Sequence, residues 1–125
     1  MNEQAIEQEI QAKGLNAPRI TPDDIDAAIS SEQYFTAADG CLGDWQYRRD
    51  INGVEASGVM QAVPESLHLL TFCVLRNGFT VTGESACASP ENFNAEIGRK
   101  IARENAKQKI WALEGYLLKQ KLSGL

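Results

Sequence analysis

The stretch "TVTGESACASPENF", residues 80–93, gathers a glycine, hydroxyls, a carboxylate and a thiol where a strand end passes into a helix start. Backbone amides at such a junction can hold an anion, and a thiol there can be shifted toward thiolate. A nucleophilic Cys87 needs a base, and His68, the single histidine, lies near the start of a strand across a hairpin from it. The sequence offers no third orienting residue, so Cys87 reads first as a small residue in a tight corner. Glu84 as a general acid would need Asp39 or His68 beside it, and an exposed or locally hydrogen-bonded glutamate is the plainer reading. The pattern G-x-x-x-x-G-K of a Walker loop is missing, but Ser85 and Ser89 remain candidate phosphate ligands. The stretch reads as a junction first and a site second.

The second candidate lies on the following helix, where Arg99, Lys100, Arg103 and Lys107 share one arc. Two guanidiniums one turn apart can grip phosphate or carboxylate groups as planar donors. With the helix starting at Pro90, Arg99 and Arg103 fall about 15 Å or more along it, too far to share one small ligand with Ser85 and Ser89. The rival reading is internal pairing. Residues 1–66 hold 12 acids against 4 bases, and residues 88–125 hold 7 bases against 4 acids, so the two ends should attract within the fold or between subunits. Net charge is −5, which disfavours general duplex DNA binding. Cys41, Cys73 and Cys87 show no paired spacing, so neither a disulfide framework nor a metal site is expected, and no cofactor is implied. Cys73, inside an apolar strand, reads as core.

These residues must be positioned by a small set of elements. Residues 2–13 predict a short helix with Ile6 and Ile10 on one side and Gly14 ending it. Thr21, Pro22 and Asp24 form a helix-start signature, with Ile20 and Ile25 at staple positions, and the helix is expected to reach about Phe35. Ala38-Asp39-Gly40 should stop it. Residues 41–66 suggest an exposed hairpin turning at Asn52-Gly53. A stronger hairpin turns at Asn77-Gly78 as a two-residue loop, pairing Val74 with Val81 and placing Phe72, Val74, Phe79 and Val81 on the core face. Ser89 should cap the last helix, whose small residues Ala95, Gly98, Ala102 and Ala106 invite a close backbone. Asn94 and Asn105 in that arc read as structural. The apolar phase changes after Trp111, which predicts a bend or restart near Trp111–Ala112.

The chain has 125 residues, 43% apolar and 23% charged, as expected for a globular domain of residues 18–125 preceded by a short helix or arm and linker over 1–17. The longest apolar run is too short for a bilayer, and the acidic, polar start "MNEQAIEQEI" is unlike a targeting peptide, so a cytoplasmic protein without membrane contact is expected.

The segments "YFTAADG", "LTFCVLRNGFTVTGESA", "PENFNAEIGRKIAREN" and "KIWALEGYLL" resemble a family of small tailed-phage proteins without an assigned activity, over roughly residues 18–122. In that family proline usually follows the tryptophan of "KIW". Here Ala112 stands there, which softens the expected break. The resemblance implies phage origin and an accessory role in the cytoplasm of the infected cell. It carries over no catalytic residues.

The expected fold is α+β, a small antiparallel sheet of two to four strands flanked by helices, with self-association plausible from its oppositely charged faces. The leading functional expectation is a non-enzymatic accessory protein that binds a host protein and modulates defence or metabolism. The alternative is a sponge for a small anionic nucleotide signal, using the basic arc of Arg99, Lys100 and Arg103 at a subunit interface. An enzyme using Cys87 or Glu84 ranks last.

Overall fold

The computed structural model describes residues 2–53 and 68–124. Three antiparallel strands, β1 (Ile29–Thr36), β2 (His68–Leu75) and β3 (Thr80–Ala86), lie in the order β1-β2-β3. Before them come helices α1 (Glu3–Ala12) and α2 (Pro22–Ala28), and between β1 and β2 stands α3 (Ala37–Asn52). A short 3-10 turn, Pro90–Asn92, leads into the long α4 (Ala95–Ser123), which packs on β3 and β2. The class is α+β.

Local chemistry accounts for the helix starts. Thr21 Oγ1 accepts the Asp24 amide and Asp24 returns the bond to the Thr21 amide, which satisfies two otherwise unpaired donors. Ile20 packs against the core cluster that contains Ile25. Gly14, at φ 66, follows α1 as expected.

α2 nevertheless stops at Ala28, not Phe35. From Ile29 the chain is β1, because "ISSEQYFT" is rich in β-branched and aromatic residues and its backbone completes the ladder of β2. A bulge at Ser30 starts the strand, and its hydroxyl donates to the Val74 carbonyl at 2.9 Å. A second capping box, Thr36 with Asp39, then starts α3 where the sequence suggested a stop. Asn52-Gly53 is the end of that helix, with Gly53 at φ 84, so it is not a hairpin turn. The second arm proposed for that hairpin lies outside the described residues.

The main hairpin turns at Asn77-Gly78, but its loop has three residues. Leu75 bonds both the Phe79 carbonyl and the Gly78 amide, and Gly78 alone has a positive φ, 88°. The extra residue pairs Cys73 with Val81 and Val74 with Thr80. One step of register exchanges the two faces of a strand. Leu69, Thr71, Cys73 and Leu75 are therefore buried with Val81 beneath α4, whereas Phe72 is exposed on the far side with Thr80 and Thr82. Cys73 is fully buried, as read from the sequence.

α4 begins later than expected. Asn94, not Ser89, is its cap, accepting the Ile97 amide at 3.0 Å. Ala102, Ala106 and Ile110 form its buried stripe, while Ile97 and Ile101 stay about half exposed. At Gly83 the strand meets the helix backbone so closely that a Cβ would overlap the Ala102 carbonyl oxygen and the Ala106 amide nitrogen. The small-residue arc serves that approach. The helix continues without a restart through Trp111 and Ala112, since alanine keeps the amide that proline would remove.

Candidate functional site

The structure sorts the candidate residues into those engaged in the fold and those left facing solvent. Ser85 Oγ donates to the Gly98 carbonyl at 3.0 Å, tying β3 to α4. The Cys87 thiol donates to the Ser89 carbonyl at 3.0 Å, and the same carbonyl accepts the Asn92 amide. His68 pairs with Ala86 in the ladder, and its side chain lies outside the described residues. Glu84 is exposed, and its carbonyl accepts Asn105 Nδ2 at 2.7 Å. Lys109 caps the Thr82 carbonyl in the same way. The two α4 side chains thus close carbonyls on the outer edge of β3, which blunts it as a template for another strand.

The basic arc is divided. Arg103 contacts Glu32 at 3.2 Å and Asp26 at 3.3 Å. Lys107, with its side chain 6% exposed, contacts Glu3 at 2.9 Å and Asp26 at 3.5 Å. Burial pulls the Lys107 ammonium down, but Glu3, Glu104 and Asp26 outweigh it and raise its pKa. For Glu3, burial pushes the carboxyl up, and hydrogen bonds from Trp111 and Lys107 bring it below its ordinary value. The attraction between the acidic and basic ends is therefore realised inside the fold. Glu7, held by two bonds from Arg19 at 2.6 Å, is lowered to about 2 and fastens α1 to the segment before α2.

Arg99 and Lys100 remain outside this network. Lys100 makes only an exposed pair with Glu96 at 3.5 Å, and Arg99 makes no ion pair among the described residues. Because α4 starts at Ala95, Arg99 stands one turn from its beginning, closer than the sequence implied. It lines a shallow hollow of about 240 Å³ with Tyr34, Phe35 and Phe93. A neighbouring hollow of about 150 Å³, with Ser85 and Cys87 in its wall, shares Leu69 and Phe93 with it. Ser89 lines neither hollow. Phe93 escaped the sequence reading, although an aromatic residue six places before an arginine at a helix start was a usable signal.

The sequence profile of the phage protein (N4 Gp49/phage Sf6 gene 66) family matches residues 20–122. The chain belongs to that family. It is a phage protein, and the matched span runs from the staple residue Ile20 almost to the end of α4. No curated protein and no solved structure matches the chain. Among the described residues, no helix of this family member is long and apolar enough to cross a membrane.

Among the described residues the fold also leaves an apolar row on the sheet facing solvent. α4 covers one face of the sheet. On the other, β2 sets Leu70, Phe72 and Val74 in a row, with Phe35 of β1 opposite Leu70. Phe35 and Phe72 are each 39% exposed. Gln33, Ser31, Thr80, Thr82 and Glu84 border the row. An apolar centre with a polar rim is the composition of a protein-binding patch.

Proposed function

We propose that this phage protein is a non-enzymatic accessory factor that works in the cytoplasm of the infected cell by binding a host protein, thereby modulating defence or metabolism. The observation that carries the reading is the sheet face opposite α4, where among the described residues Phe72 is exposed at the centre of the middle strand. An exposed, aromatic-bearing sheet face suits a folded protein partner better than a small molecule, which needs concave enclosure. The partner's matching surface is apolar at its centre. The test is capture from infected cells with the parent and with Phe72→Glu, after circular dichroism shows both folded. The reading expects a host protein retained by the parent and lost by the variant. Equal retention by both removes the sheet face from the account.

A second reading, sequestration of a small anionic nucleotide, is favoured by one observation. Arg99 is unpaired among the described residues and stands beside Tyr34, Phe35 and Phe93, groups on which a base can stack. Arg103 counts against it, being engaged with Glu32 and Asp26. A thermal-shift screen with nucleotides and cyclic nucleotides separates the two readings. A ligand at 100 times its Kd stabilises by about 2.7 kcal/mol, and that shift should vanish in Arg99→Glu if the second reading holds.

A further inference from the structure

We infer that the overhanging end of α4 is a homodimer interface, in which a second copy of this chain lies antiparallel across Leu113 and Leu117. The overhang follows from lengths. A helix of 29 residues extends about 43 Å, whereas the eight-residue strands beneath it span about 26 Å. The stripe buried at Ala102, Ala106 and Ile110 continues at helical spacing through Leu113 and Leu117, where the sheet has ended. Leu113 is 40% exposed, Leu117 55% and the flanking Tyr116 75%, with Phe79 of the hairpin 57% exposed beside them. Between this end of α4 and the hairpin lies a hollow of about 480 Å³ with a mainly apolar wall.

Two features select a second copy as the occupant. The first is area. A stable interface covers about 800 Å² per partner, roughly two-thirds of it apolar in homodimers. The exposed parts of Phe79, Leu113, Tyr116 and Leu117 supply on the order of 500 Å², which is that apolar share. The second is charge. Glu114 and Lys121 lie seven residues apart on the same flank of the stripe, and neither has an ion pair among the described residues. In an antiparallel pair centred between Leu117 and Leu118, Glu114 of each helix faces Lys121 of the other, and the two-fold axis makes the contact twice. This face is separate from the open sheet face, so a dimer leaves two copies of that face available.

Sedimentation velocity on the full chain tests this. The parent should sediment at twice its monomer mass, and Leu117→Glu, which changes an exposed residue, should be a folded monomer. Glu114→Lys should shift the parent toward monomer, and adding Lys121→Glu should restore the dimer, a recovery that lost packing alone cannot produce. A monomeric parent at 100 times the concentration of the cellular protein overturns the proposal. So does a dimer unaffected by Leu117→Glu. If the parent is monomeric and Leu117→Glu instead loses a host protein, the face belongs to a different partner and the proposal also falls.

Discussion

Gly83 shows how one residue fixes the spacing between layers. Its missing side chain lets β3 lie against the α4 backbone at Ala102 and Ala106. Gly83→Ala should therefore cost about 3 kcal/mol, at the upper end of overpacking effects, measured as a lower urea midpoint. Gly115 gives the opposite expectation, because its helical site is open on all sides. Gly115→Ala should add about 0.5–1 kcal/mol. Equal effects at the two glycines would contradict the close approach. The residue scale also shows which features were legible in the sequence. Thr21, Gly14 and Gly78 could be read because capping and a positive φ depend on neighbours a few residues away. The burial of Cys73 was legible from its apolar strand, but the exposure of Phe72 on the opposite face was not. Which face of β2 lies beneath Val81 depends on whether the loop after Leu75 has two residues or three, and Asn77-Gly78 is compatible with both.

At the scale of elements, α4 starts on Asn94, and Ser89 only shapes the turn before it. Asn94→Ala should cost about 0.5–2 kcal/mol in a urea titration, and Ser89→Ala less than half of that. The reverse order would put the helix start back at Ser89. α1 is attached differently, through carboxylates. Glu7 bonds Arg19, and Glu3 bonds Lys107 and the Trp111 indole at 2.9 Å. Glu7 drops from 4.5 to about 2 in the fold, and Glu3 is also lowered. Groups with depressed folded pKa values stabilise fully above their unfolded range, and that stabilisation is lost as pH falls through the folded values. Lys107, being raised, would act only on the alkaline side. Acid should thus release α1 between about pH 4.5 and 2, seen as a red shift of Trp111 emission in a Trp45→Phe background. Glu7→Gln should bring weaker attachment already at neutral pH. An emission unchanged until the whole protein unfolds would exclude a separable α1. The boundary of α2 with β1 was hidden in the sequence for a related reason. A strong start signal at Thr21 fixes where a helix begins, but its end at Ala28 is set by the pairing of Ile29 with Leu75 of β2, far along the chain.

For the molecule as a whole, part of the charge is used to join its elements, and apolar side chains are left facing solvent. Arg103 and Lys107 join the acidic N-terminal segments to α4, as the uneven charge of the sequence suggested. The fold class followed from the hairpin and helix patterns, but the open face did not. That α4 lies on one face of the sheet, while on the other, among the described residues, α3 reaches Phe35 and Phe72 stays exposed, is a property of the assembled layers, and apolar residues on both faces of β2 were equally compatible with a covered sheet. The central proposal is that the face bearing exposed Phe72 meets a host protein. Photo-crosslinking from position 72 in infected cells tests it most directly, with a crosslinker in place of exposed Gln8 on α1 as the control. The account predicts one discrete host-protein adduct from position 72 and none from position 8. Adducts of equal yield from both positions, or none from position 72 while a nucleotide raises the melting temperature through Arg99, would contradict it.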